Sequence, residues 1–141
     1  MRIVDATVLA SLLVVGGCSR SAPPYALPSD IDPVELKARL AIPQVVKTEH
    51  ATLSASPGRV AACTGWDRAT SKVAWQTDVP SIRLEVSGSE GTARQLFAAG
   101  GSVGEATTGN WVGDGTRFFL IDAGSGSTLA ELHINAVSCT H

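Results

Sequence analysis

Ser81-Ile82-Arg83-Leu84-Glu85-Val86-Ser87 alternates apolar and charged side chains without a break. A period of two puts Ile82, Leu84 and Val86 on one face of an extended chain and Arg83 and Glu85 on the other, the pattern of a strand with one buried and one wet face. Working outward, Val73, Trp75 and Thr77 form a second alternating set in which Trp75 is the large core residue. In Ala130 to Val137, Leu132, Ile134 and Ala136 face one way and Glu131, His133 and Asn135 the other. Thr116 to Asp122, Thr-Arg-Phe-Phe-Leu-Ile-Asp, is apolar on both faces over its middle. It predicts a central strand, with Phe118 and Leu120 toward the core and Phe119 and Ile121 toward a second covering surface. Its exit, Ala123-Gly124-Ser125-Gly126-Ser127, tolerates positive φ, so antiparallel pairing with a 128–138 strand is expected. Leu53 and Ala55 open the series, and Val60 and Ala62 follow a Pro57-Gly58 turn. Turn residues recur about every eight to twelve positions, which predicts an all-β antiparallel sandwich of about seven strands over residues 48–141.

Length and charge narrow the function. The 141 residues suit one domain, and no internal repeat of solenoid type is visible. With 11 Lys+Arg against 13 Asp+Glu, interspersed, the chain lacks the basic footprint of a nucleic-acid binder. No apolar run reaches the roughly 18 residues of a membrane-spanning helix.

The N-terminus reads as an address. Arg2 supplies a positive start, and Ala6 to Val15 is an apolar stretch of h-region length. Val15-Gly16-Gly17-Cys18 then resembles the lipobox of bacterial lipoproteins: an aliphatic residue, two small ones, and the cysteine that becomes the new N-terminus. The resemblance implies a signal peptide over 1–17 and a diacylglycerol on Cys18, with acylation making membrane attachment effectively permanent. Ser19, where lipoproteins retained in the inner membrane often carry Asp, favours the outer membrane, with the domain facing the periplasm. Residues 19–33, rich in proline, read as a linker that extends at about 3.1 Å per residue. Asp32-Pro33 is an N-cap and N1 pair, and Val34, Leu36, Leu40 and Ala41 predict one face of a two-turn helix that Pro43 stops. The anchor, linker and helix together occupy 18–47.

A second resemblance covers most of 48–138. Thr107-Thr108-Gly109-Asn110-Trp111-Val112-Gly113-Asp114-Gly115-Thr116-Arg117-Phe118-Phe119-Leu120 resembles a segment of small Ig-like or fibronectin-III-like modules of bacterial secreted and surface proteins. Ala55-Ser56-Pro57, the Cys63 strand, Trp75 and the run from Leu96 to Gly101 are similar in order and spacing. Such modules are usually appended to other domains, so the resemblance implies an accessory role and an Ig-like sandwich. Within the motif, Trp111 is expected to plug one end, and Asp114-Gly115 to supply a turn.

With Cys18 used by lipid, Cys63 and Cys139 remain as an even pair in an exported protein, which reads as a disulfide. The competing idea, a metal site from Cys63, Cys139, His141 and His50, lacks closely spaced ligand pairs. A calcium site at Asp114 lacks a ligand series. Gly100-Gly101-Ser102-Val103-Gly104 matches G-x-S-x-G formally, yet a nucleophile elbow needs a strand-to-helix turn on a large parallel sheet, and neither His133 nor the terminal His141 is placed to serve it. No catalytic set, cofactor or metal is expected. What remains is a lipid-anchored, noncatalytic accessory module of the cell envelope that binds protein or has a structural role. Trp66, Trp111, Phe119 and Ile121 are its candidate contacts, and the alternative is a carbohydrate-binding module using the same tryptophans.

Overall fold

The computed structural model describes residues 31–88 and 93–139. The chain runs α1 (Pro33–Leu40), β1 (Gln44–Lys47), β2 (Ala51–Ser56), β3 (Arg59–Ala61), β4 (Lys72–Thr77), β5 (Ile82–Ser87), β6 (Gln95–Gly100), β7 (Val103–Thr107), β8 (Arg117–Asp122), β9 (Thr128–His133) and β10 (Asn135–Val137). The expected signal peptide, Cys18, most of the linker and His141 lie outside the described residues.

Two antiparallel four-stranded sheets, ordered β1-β2-β4-β7 and β6-β5-β8-β9, make an all-β sandwich. Its core is the sum of the alternating faces: Leu53, Ala55, Val73 and Trp75 from the first sheet meet Ile82, Leu84, Phe118, Leu120 and Leu132 from the second. Seven strands, β2 and β4 to β9, form the sandwich proper, in an order compatible with an immunoglobulin-like fold. The described strands number ten rather than about seven because β1, β3 and β10 are short additions at the margins. β1 lies ahead of the expected start at residue 48. It pairs along β2, with Val46 packed on the core, so the folded unit reaches back into the segment read as tether and helix.

The β8–β9 hairpin forms as its turn chemistry requires. Gly126 takes φ 77°, the Asp122 amide donates to the Ser127 carbonyl at 2.9 Å, and the Gly124 amide donates to the Asp122 carboxylate at 2.9 Å. That last bond, with the Ser125 hydroxyl, holds the Asp122 carboxyl below its ordinary range. A register shift at Leu120/Ile121 leaves Leu129 as the extra residue, half-turned onto the core.

Two expectations fail where a third layer intervenes. Ala62, expected inward, is exposed, and Ala61 is buried in its place. β3 leaves the first sheet after a cis Ser56–Pro57 peptide and pairs in parallel with β10, so it is covered on both sides. Val60 enters the main core, and Ala61 enters a second cluster under α1 with Leu36 and Leu40. The single strand expected over 130–137 is divided at Ile134, whose amide and carbonyl pair with Thr116 and Gly115 before the chain turns to β3.

The helix has the expected cap, with the Asp32 carboxylate accepting the Val34 amide at 2.8 Å, but only Leu36 and Leu40 are buried. Val34 and Ala41 face solvent because α1 crosses a narrow strand pair and not a wide sheet. The Cys63–Cys139 disulfide, closing a separation of 76 residues, lies in this second cluster and ties the loop after β3 to the chain end after β10. No helix among the described residues is long and apolar enough to cross a membrane.

Candidate functional site

The loops that carry Trp66 and Trp111 meet at one end of the sandwich. Ala69 and Val112 exchange backbone hydrogen bonds at 2.8 and 3.2 Å, which joins the β3–β4 loop to the β7–β8 loop. The β7–β8 loop is stiffened from below. The Gly113 amide donates to the Thr116 hydroxyl at 3.0 Å, Gly115 takes φ 81°, and the Asp114 carboxylate accepts the Ala136 amide at 3.0 Å. Asp114 is thus a backbone acceptor that caps β10.

Trp111 stands on this loop with 43% of its surface exposed. Phe97 meets it edge-on at 5.8 Å between ring centres, and Phe118 lies tilted at 6.4 Å. The indole is therefore braced along one side by two core rings and presents the other to solvent, a more open position than the end plug its motif implies. Beside it opens a cleft of about 560 Å³ lined by Arg68, Ser87, Gln95, Asp114 and Thr116 among others.

Trp66 sits differently. Gly65, at φ 82°, turns the chain after Cys63, and the Trp66 amide and carbonyl bond to Cys63 and Ala61. Its ring covers the second cluster beside the disulfide, half-buried, and its indole Nε1 is buried with no hydrogen-bond partner among the described residues. Such an orphan donor is rare in folded proteins.

Phe119 and Ile121 are each only 3% exposed, so neither offers a contact surface as the domain stands. Their covering is supplied by the chain itself. The Arg94 guanidinium lies 3.8 Å from the Phe119 ring centre, Glu85 and Glu131 flank Phe119 in register, and Arg83 flanks Ile121. What the sequence shows as an apolar second face is a charged outer sheet surface with its aromatic residue underneath.

The G-x-S-x-G stretch has a packing explanation. The Trp75 indole lies across β6 and β7, donating from Nε1 to the Gly101 carbonyl at 3.0 Å, and a Cβ on Gly104 would fall 2.4 Å from its Cζ2. Glycine stands there because an indole takes the space. Ser102 caps the β6–β7 corner, and His133 lies on β9 at the far edge of the second sheet, bonded to Glu131 at 2.6 Å, so no triad assembles from them. Among the described residues no group of three or more His, Cys, Asp and Glu side chains is arranged to hold a metal ion.

At the opposite end, the His50 Nδ1 donates to the Asp78 carboxylate at 2.9 Å. This bond, then the charges of Asp78 and Glu49, raises the His50 pKa above the ordinary imidazole value.

Comparison with protein-family models, with curated proteins and with solved structures finds no match to this chain.

Proposed function

We propose that this chain is a lipid-anchored protein of the cell envelope, held through Cys18, whose immunoglobulin-like sandwich is a noncatalytic binding module for another envelope protein. The supporting observation is Trp111: a large aromatic that is exposed yet braced by Phe97 and Phe118 loses little conformational freedom on binding, as an interface anchor requires. The lipobox resemblance at Val15 to Cys18 supports the anchor, and Ser19 supports an outer-membrane, periplasm-facing position.

A second reading, carbohydrate binding, is favoured by the cleft next to Trp111, where Arg68, Gln95 and Asp114 bring polar groups beside the indole. The two are separated by crosslinking in native membranes alongside tryptophan fluorescence against a glycan panel, each with the parent and Trp111→Ala. A defined crosslinked partner lost in Trp111→Ala supports the protein-binding module. A saturable glycan-induced shift lost in the same variant assigns the site to sugar. Intact-mass analysis of detergent-extracted protein tests the anchor: the mass of 18–141 plus lipid is expected, and a lipid-free mass would sink it.

A further inference from the structure

A second groove, of about 380 Å³, lies where α1 approaches the β2–β3 corner and the Trp66 loop. Its floor is apolar, from Leu40, Pro57 and Trp66, and Lys37, Arg59 and Arg68 line it as well, the last with its guanidinium set against Gly113 of the β7–β8 loop. Among the described residues no acidic side chain lines it. None of the three cations forms an ion pair with a described residue, in contrast to Lys72, which pairs with Glu105 at 3.6 Å. Apolar floor and a positive rim without a described ion-pair partner match an amphiphile with an anionic head. A bare anion leaves the floor unused, and a neutral lipid leaves the cations uncompensated.

The chain's own course points to the source of that ligand. Ile31 packs against the same small cluster as Trp66, so the N-terminal segment joins the domain at the cluster beneath α1, which also borders the groove through Leu40 and Trp66. Twelve residues separate Ile31 from Cys18, a reach of roughly 40 Å when extended. We propose that the groove binds the anionic phosphate head and first methylenes of a membrane phospholipid, seating the α1 end of the domain on the bilayer. The choice of a bilayer lipid rests on the anchored reading given above, whereas the groove's preference for an anionic amphiphile does not.

The test titrates the full chain, in a neutral detergent, with lysophosphatidic acid, with lysophosphatidylcholine of the same acyl chain, and with inorganic phosphate, reading tryptophan emission. A saturable shift is expected with lysophosphatidic acid alone. It should weaken on the order of 100-fold in Lys37→Gln/Arg59→Gln/Arg68→Gln. Lys47→Gln/Lys72→Gln/Arg83→Gln, which removes equal charge elsewhere, should bind like the parent. Lys37→Gln alone, at an exposed helix position, should weaken binding several-fold and stands in if the triple variant fails to fold. Equal binding of inorganic phosphate would overturn the lipid assignment. Equal loss in both triple variants, or loss in neither, would overturn the groove. Intact mass on the same preparation reports the anchor separately: binding by a chain unlipidated at Cys18 supports the groove and sinks the bilayer source, and a lipidated chain that does not bind overturns the groove alone.

Discussion

Gly104→Ala is expected to destabilise the sandwich through a single contact. The added methyl would lie 2.4 Å from Cζ2 and 2.8 Å from Cε2 of Trp75. Carbon atoms prefer about 3.5–4.0 Å, so the indole must retreat by about 1 Å. It has little room, since its other neighbours are the buried core and its Nε1 is held by the Gly101 carbonyl at 3.0 Å. Overpacking costs about 1–3 kcal/mol, and a weakened hydrogen bond adds about 1 kcal/mol, for a total of about 2–4 kcal/mol. In a domain of this size that lowers Tm by on the order of 10 °C. Urea and thermal unfolding of the parent and the variant measure it. Trp75→Phe vacates the space around Cζ2, so the double variant should recover part of the loss, with a coupling energy of at least about 1 kcal/mol. Ser102→Ala, at an exposed corner, should stay within about 0.5 kcal/mol of the parent. Gly104→Ala within that same margin would refute the packing explanation of the G-x-S-x-G stretch.

Three further outcomes are expected. Cys63→Ala/Cys139→Ala opens a constraint spanning 76 residues and should cost about 4–5 kcal/mol in the chain-entropy account; an unchanged denaturation midpoint would contradict it. Asp32→Ala removes the N-cap of α1 and should cost about 1 kcal/mol, visible as faster amide exchange at Leu36 and Leu40, and protected amides in the variant would show that packing alone holds the helix. The hydrogen bond that His50 donates to Asp78 raises the His50 pKa, so its stabilising effect is full below the unfolded imidazole value of about 6.5 and is lost as pH rises through the folded value. NMR titration should place His50 above its ordinary range and return it in Asp78→Asn; the same titration in both proteins would remove Asp78 as the cause.

The strands with one wet face were legible because period-two alternation states which side is buried. Ile82, Leu84, Val73, Trp75 and Leu132 all lie in the core as the alternation requires. Where both faces are covered the rule loses its reference. β3 is the example: Val60 and Ala61 are adjacent and both buried, and no alternation distinguishes Ala61 from Ala62. Phe119 and Ile121 show the converse, since their apolarity was plain but not the identity of what covers them. The cover is Arg94 from a separate strand approach and charged neighbours across the sheet, which requires the register of three strands. The positive groove was missed altogether. Lys37, Arg59 and Arg68 are scattered singly through the chain, and only the crossing of α1 over the β3–β10 pair gathers them.

Local chemistry in the chain alone determined the strand runs, the capped helix start at Asp32-Pro33, the Gly/Ser hairpin and the pairing partner left to Cys63, because each depends on neighbours a few residues apart or on simple counting. Tertiary structure decided that the chain leaves the first sheet after Ser56, that α1 and the disulfide form a second small core, and that Trp66 and Trp111 share one end with the entering N-terminal segment. Those features join residues as far apart as Arg39 and Ser138, which share a hydrogen bond across 99 positions. Nothing in local periodicity carries that information, since the free energy that selects them is the burial of surfaces contributed by several elements at once.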